Sequence, residues 1–247
     1  MVLYVVYRAP IESKNRSALP HRLKQLGCQP LHNAFWRIEK KNVRQVLKVL
    51  ENNQPIVLKR QREIKNPPPA KKKAFVGFGS LIVIMFMLPK GANREKVKNL
   101  LRKAPCIRLR RSVYAFSQKQ RFYDKEHKLV DARKLVDFLR EMQANVKIIS
   151  RVVIMNKTSV QRLLLETRSH VEREVAEIVN SCKELYRKAQ SGSNLNVLND
   201  RFSRIKRRYY ALKKVALVYS NWIKIDVSKI LMRAYHALRK VHYAIKT

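Results

Sequence analysis

The chain has 247 residues, with 55 Lys and Arg against 17 Asp and Glu, for a formal net charge of +38. Hydrophobic residues make up 46% of it and recur periodically, which excludes a disordered basic tail. Only five glycines are present, and neither G-x-G-x-x-G nor G-x-x-x-x-G-K-[ST] occurs, so no Gly-rich phosphate loop is available. A compact body with this charge repels itself, and a polyanionic partner relieves the repulsion. The three cysteines, Cys28, Cys106 and Cys182, are odd in number and widely spaced, without a C-x-x-C pair. They read as small buried hydrophobes, not as a disulfide framework or a zinc site.

In chain order, Met-Val-Leu-Tyr-Val-Val-Tyr opens the sequence as a strand; it has no basic n-region and no cleavage site. Residues 17–26 carry Leu19, Leu23 and Leu26 at helical spacing, and residues 43–50 form a second helix. Ile56-Val57-Leu58 is a short strand. Residues 60–73, with Pro67-Pro68-Pro69 and Lys71, Lys72 and Lys73, form a linker stiffened as polyproline II. It reads either as a solvated connection or as a basic arm that enters a groove. Residues 74–88 are uncharged but too short for a membrane span and broken by Gly77, Gly79 and Pro89. Residues 81–88 are therefore a buried strand. Residues 94–103, with Val97, Leu100 and Leu101, and residues 131–142 are helical, and residues 146–154 are β-rich.

The first 155 residues contain a repeat. Cys28-Gln29-Pro30-Leu31-His32-Asn33-Ala34-Phe35-Trp36-Arg37-Ile38 aligns without a gap on Cys106-Ile107-Arg108-Leu109-Arg110-Arg111-Ser112-Val113-Tyr114-Ala115-Phe116. Tyr7-Arg8-Ala9-Pro10 falls over Phe86-Met87-Leu88-Pro89. Each unit reads strand, helix, strand, a further strand, helix, strand, the order of a split βαβ or ferredoxin-like unit. Two such sheets can pack as a pseudo-dimer without exposed edges.

From about residue 159 the β pattern gives way to helices. The first carries Val160, Leu163, Leu164, Val171, Val175, Ile178, Cys182 and Leu185, with Thr158 or Ser159 as N-cap, and ends at residues 191–194. Its mixed charges, Glu172, Glu174, Glu177 and Glu184 among Arg168, Arg173, Lys183 and Arg187, suit a solvated face. A second helix runs from about residue 197 to 214 or beyond. A third, residues 228–245, has the stripe Ile230, Leu231, Tyr235, Leu238, Val241 and Ile245. They form a hairpin whose third member closes a bundle or docks on the sheets. Residues 201–247 hold thirteen Lys or Arg and one acid, Asp226, which suits a phosphate-facing surface.

The fold expected is α+β: two tandem ferredoxin-like (split βαβ) units followed by a C-terminal helical bundle or hairpin. The boundaries are 1–62 for the first unit, 63–78 for the linker, 79–156 for the second unit and 157–247 for the basic helical region.

Leu81-Ile82-Val83-Ile84-Met85-Phe86-Met87-Leu88-Pro89, the basic helix after it and Leu109-x-x-Ser112-Val113-Tyr114-Ala115-Phe116 resemble the N-terminal domain of the chromate-resistance regulators. Leu26-Gly27-Cys28 and Leu31-x-x-Ala34-Phe35-Trp36 are similar to that domain and to the small ferredoxin-like subunit of the CRISPR spacer-integration complex. Leu198-x-x-x-Phe202-x-x-Ile205-x-x-x-Tyr209 resembles the regulators' helical tail. The resemblance implies a ferredoxin-like fold and DNA contact. It carries over no chromate function, since the separate sensor domain of that family has no counterpart here. Where the CRISPR subunit has an Asp at the end of its first strand, this chain has Arg8 and, in the second repeat, Met87. Neither replaces a carboxylate as a ligand for a hard metal.

Asp124-Lys125-Glu126-His127 is the tightest acid and histidine cluster, and it reads as a solvated turn. The histidines have no metal-binding helical spacing, and no nucleophile motif is present. No catalytic residue, metal or cofactor is assigned. Nucleic-acid contact is expected from three patches: Arg94, Lys98, Arg102, Arg108, Arg110 and Arg111; the linker Lys71, Lys72 and Lys73; and Arg201, Arg204, Arg207, Arg208, Lys213 and Lys214. Tyr209, Tyr210 and Trp222 interleave the last patch. They read either as base-stacking aromatics or as core and surface rings. The expected partner is nucleic acid, DNA ahead of RNA, bound by a cytoplasmic or nucleoid-associated protein, alone, as a homo-oligomer or in a larger nucleoprotein assembly. The alternatives are an RNA-binding ribonucleoprotein component, a metal-dependent nuclease and, against the commitment of the apolar stripes to a core, a binder of anionic membranes.

Overall fold

Leu3-Tyr4-Val5-Val6 and Leu81-Ile82-Val83-Ile84-Met85-Phe86 lack the polar alternation of a half-solvated strand because both of their faces are covered. The computed structural model describes residues 2–8, 18–67, 77–119, 129–191 and 194–246. Its elements are β1 (Leu3–Val6), α1 (Ala18–Gln25), β2 (Gln29–His32), β3 (Phe35–Ile38), α2 (Val43–Val49), β4 (Ile56–Arg60), β5 (Leu81–Met87) and α3 (Arg94–Leu101). They continue with β6 (Ile107–Arg110), β7 (Val113–Ser117), α4 (Ala132–Glu141), β8 (Asn145–Ile154), α5 (Lys157–Gln190), α6 (Leu195–Ile223) and α7 (Ser228–Lys246). The protein is α+β: among the described residues, eight strands form one antiparallel sheet, accompanied by seven α-helices.

The sheet order is β2-β3-β1-β4-β8-β5-β7-β6. In each half the first strand lies between the third and the fourth. The halves join where β4 pairs with β8, through Leu58 opposite Ile154, Lys59 opposite Val153 and Arg60 opposite Val152. The aligned segments of the repeat fall on equivalent hairpins, β2–β3 and β6–β7. Both hairpins slip register at the same place, between Pro30 and His32 and between Arg108 and Arg110. Ala34 and Ser112, aligned in the sequence, both turn with left-handed backbone, φ 51 and 62. That conformation strains any residue with a Cβ, and a small side chain limits the strain.

The sheet curls until its two halves meet. The β2–β3 turn, at one edge, bonds to the second half: His32 Nε2 lies 3.0 Å from the Phe86 carbonyl, and Lys147 Nζ donates to the Leu31 carbonyl at 2.8 Å. Arg110 donates to the Asn33 carbonyl. Tyr4, Val6 and Phe35 of the first half consequently share a core with Val83, Met85, Leu109 and Val113 of the second. On the outer faces, α1 and α2 cover Leu3, Val5, Tyr7 and Trp36, while α3 and α4 cover Ile84, Phe86 and Phe116.

The C-terminal helices enter the shared core. The N-cap of α5 is Asn156, not Thr158 or Ser159, and its side chain makes no cap bond. Instead its Oδ1 accepts from Val57 N at 3.1 Å and its Nδ2 donates to the Pro55 carbonyl at 3.0 Å. Ser159 Oγ donates to the same carbonyl at 3.0 Å, so the start of α5 is pinned to β4. The helix α6 runs well past residue 214. Trp222, near its end, is buried and donates its indole N–H to the Phe78 carbonyl at 2.9 Å. This sequestered ring cannot stack on a base. α5 packs against both α6 and α7, so the third helix closes a bundle that also rests on the sheet.

The start of the linker is fixed. Lys65 N donates to Ser80 Oγ at 2.7 Å, and Ser80 N donates to the Lys65 carbonyl at 2.8 Å. Gly79 permits this approach: its φ is +67, and a Cβ there would lie 2.6 Å from Pro67 N. Pro68, Pro69, Lys71, Lys72 and Lys73 lie outside the described residues, as do Asp124, Glu126 and His127. Among the described residues, no helix is long and apolar enough to cross a membrane.

Gly91 has a similar φ of +80, but a Cβ there would meet nothing within 4 Å. Gly91→Ala is therefore expected to lose about 1 kcal/mol from backbone strain alone, and Gly79→Ala about 2–3 kcal/mol from strain plus a backbone clash. Urea titrations of the two variants check the difference.

Candidate nucleic-acid interface

Two basic stretches about a hundred residues apart in sequence flank α5 and converge on its Glu174 and Glu177. From one side comes the end of α3. Asn93 caps that helix, its Oδ1 accepting from Glu95 N at 3.1 Å and Lys96 N at 3.2 Å. Val97 is buried beneath it, which leaves Arg94 and Lys98 exposed. From the other side comes α6, with Arg201, Arg204 and Arg207 exposed.

Between them stand Glu174 and Glu177 of α5. Arg102, the C-cap of α3, places Nε 3.6 Å from Glu174 and NH2 3.9 Å from Glu177. Arg208 of α6 donates from Nε and NH2 to Glu174 Oε2, at 3.3 and 2.7 Å, and also pairs with Glu177. Glu174 is buried, which corrects the reading of this helix face as solvated. A buried carboxylate needs such partners, since desolvation of an unpaired charge costs several kcal/mol. The hydrogen bond from Arg208 holds the Glu177 carboxyl below its ordinary value, aided by the charges of Arg208, Arg102 and Lys98. Two of the cations expected to grip phosphate, Arg102 and Arg208, thus brace α3 and α6 against α5.

The remaining patch residues surround this brace. Arg108 is exposed on β6, alternating with buried Ile107 and Leu109. Beside it is His170 of α5. Desolvation, with repulsion from Arg173, Arg108 and Arg102 against the attraction of Glu174, holds its imidazole below the ordinary value. Arg201 and Arg204 line a shallow groove of about 220 Å³ between α5 and α6, together with Ser181, Glu184, Leu185 and Ile205. Arg111 is exposed in the β6–β7 turn. Arg110 is half-buried over the Tyr7 ring, 5.8 Å from its centroid, where it joins the sheet halves. Lys213 is exposed and Lys214 half-buried on α6. Tyr209 is buried, whereas Tyr210 is an exposed ring.

Arg8 occupies the strand-end position noted above. Its Nε donates to the Leu109 carbonyl at 2.8 Å, its NH2 to the Arg108 carbonyl at 2.9 Å and its NH1 to Glu166 Oε1 at 2.7 Å. A fixed guanidinium there repels a metal ion and ties β1, the edge strand β6 and α5 together. Among the described residues, no three His, Cys, Asp or Glu side chains are gathered as metal ligands would be. The cysteines are free thiols, and burial raises all three; Cys106 is pushed up to about 12 and Cys182 to about 11. They stay protonated and unreactive near neutral pH.

Sequence reasoning missed the α5 carboxylates, because mixed signs along a helix give no hint of which acid faces a neighbour. It also assigned Tyr235 to a core stripe, whereas Tyr235 is 41% exposed. No protein-family model, curated protein or solved structure matches the chain.

Glu174→Gln leaves Arg102 and Arg208 short of a countercharge. It is expected to cost about 1–3 kcal/mol, less than in a fully buried pair because both guanidiniums reach solvent. Because the pKa of Glu177 is lowered on folding, its pairing stabilises the fold above the ordinary carboxylate range. That stabilisation is lost as pH falls through the lowered value. Urea titrations across the acid range are expected to show a shallower fall in stability for Glu177→Gln than for the wild type.

Proposed function

We propose that this protein is a non-catalytic nucleic-acid-binding protein that grips phosphates through the surface formed by α3, β6, α5 and α6. The observation that carries this reading is the convergence of two sequence-distant basic stretches on one face, in a chain of net charge +38. Arg108, Arg201, Arg204 and Arg207 are placed there to bind phosphate oxygens through forked N–H donors. The brace of Glu174 and Glu177 sets their spacing without neutralising them. Such contacts give affinity and register with little base readout. We take duplex DNA as the partner ahead of RNA, in line with the resemblance of residues 81–116 to the DNA-contacting regulator domain. The role is then regulatory or architectural, in the cytoplasm or nucleoid, alone or within a larger nucleoprotein assembly.

In the same proposal, each half of the sheet is a ferredoxin-like unit and the two arose by duplication. Each half has the strand order of a split βαβ unit, and the equivalent turns and register slips in the hairpins support this.

Fluorescence anisotropy with matched duplex DNA, duplex RNA and single strands, over a salt series with and without Mg²⁺, tests the reading. Tight duplex-DNA binding with a steep salt slope and intact probes is expected. Preference for duplex RNA would transfer the protein to a ribonucleoprotein role, and Mg²⁺-dependent cleavage would contradict the non-catalytic reading. The double charge reversal Arg201→Glu and Arg204→Glu should reduce the slope by about two, roughly one per phosphate contact.

A pH dependence follows from His170. Desolvation is the main cause of its lowered pKa and repulsion from Arg108 adds to it; a phosphate bound at Arg108 cancels that addition, so binding takes up a proton. Affinity is expected to rise as pH falls through the imidazole range, and His170→Gln should flatten that rise in the same titrations.

A further inference from the structure

On the outer side of the C-terminal hairpin, exposed aromatic rings alternate with cations. In α7, Tyr235, Arg239 and Tyr243 follow one another every four residues and so form one ladder along the helix. Tyr235 is 41% and Tyr243 58% exposed. The Arg239 guanidinium lies 5.6 Å from the centroid of the Tyr243 ring, and its NH2 donates to the Tyr243 hydroxyl at 2.9 Å. Across the seam, Tyr210 of α6 is also exposed, with Lys206, Arg207, Lys213 and Lys214 one turn to either side of it. Buried Tyr209 supports the exposed ring beside it, meeting Tyr210 edge-on at 5.5 Å. Phe202 of α6 stacks on His242 of α7 at 5.6 Å, fixing the far end of the seam.

Folding does not require large rings in solvent on a face this basic. The rings present flat apolar faces, and the cations beside them select an anionic occupant. A base has a π-face for the rings, and its phosphate is the counterion for the cations. Duplex DNA keeps its bases stacked inside, out of reach of such rings, so the ladder suits unpaired nucleotides. A lipid surface offers the charge but no ring to stack on.

We propose that Tyr235, Arg239 and Tyr243 of α7, with Tyr210 of α6, form a stacking platform for unpaired bases of a nucleic-acid strand. The proposal rests on the phosphate-binding reading above and deepens it. The α3–α5–α6 surface takes the backbone of the nucleic acid, and α7 takes bases from a single-stranded segment of it. The open face of the sheet, the other place where a protein of this architecture could stack bases, is filled here by α5, α6 and α7.

The test uses the full chain with three fluorescent probes, an oligothymidylate, an abasic strand of the same length and a duplex, and with phosphatidylserine vesicles. The wild type should bind the oligothymidylate about tenfold or more tighter than the abasic strand, the scale of one or two base–aromatic stacks. The double substitution Tyr235→Ala and Tyr243→Ala should close that gap and leave duplex affinity unchanged. Tyr235→Phe with Tyr243→Phe keeps the rings and should keep the gap, which separates stacking from loss of the hydroxyls. Equal wild-type affinity for the oligothymidylate and the abasic strand, with the duplex still bound, would overturn the platform and leave the phosphate reading standing. Failure to bind the duplex would bring down the phosphate reading itself. If the alanine pair instead abolished binding to phosphatidylserine vesicles while keeping the base preference, a membrane surface would replace the strand as the occupant.

Discussion

The pairing of β4 with β8 is the constraint on which the rest of the structure depends. Each is the last strand of its half, and each would otherwise present an unpaired edge beside the junction. Joined through Leu58, Lys59 and Arg60, they make one eight-stranded sheet whose twist brings its halves face to face. A local bulge assists: Arg151 has a φ of 58, and the pairing of β8 with β5 slips register nearby, so the long strand bends as it passes from one half to the other. The same junction receives α5, because Asn156 and Ser159 at its start are bonded to Pro55, just before β4, and Asn156 also to Val57 within it. The direction of α5 is thereby set, and with it the bundle it forms with α6 and α7.

Charge follows from that placement. In a chain this basic, carboxylates set among clustered cations relieve repulsion where it is strongest. Glu166 stands against Arg8 and Arg162, and Glu174 and Glu177 stand against Arg102 and Arg208. These acids lie on α5, the element enclosed by basic neighbours from both halves of the chain. Arg201, Arg204 and Arg207 of α6 stay exposed beside this brace.

Much of the fold was legible in the sequence because the repeat is regular. The alignment of Cys28 with Cys106 located both hairpins, and the apolar spacing located α1 to α4 within a residue or two. The joining of the halves was not legible: strand pairing across a hundred residues leaves no local signature, and the linker obscures it. At the candidate site, the basic stretches could be read but not their partners. Arg102 and Arg208 differ from Lys98 and Arg204 only in having a buried carboxylate within reach, and tertiary packing alone decides that. Trp222 misled for a related reason, since an aromatic within a basic helix looks the same whether it faces a base or the Phe78 carbonyl. The α7 ladder is the opposite case. The spacing of Tyr235, Arg239 and Tyr243 is plain in the sequence, but apolar periodicity placed Tyr235 in the core.

The most direct test of the account is lysine acetylation read by mass spectrometry on the protein alone and with saturating duplex DNA. Lys98 and Lys103 at the end of α3 should become protected. Lys40, Lys41 and Lys48, exposed on and next to α2 over the outer face of the first half, should react as before. Equal protection of both groups, or protection of the second alone, would contradict binding at the face that α5 organises.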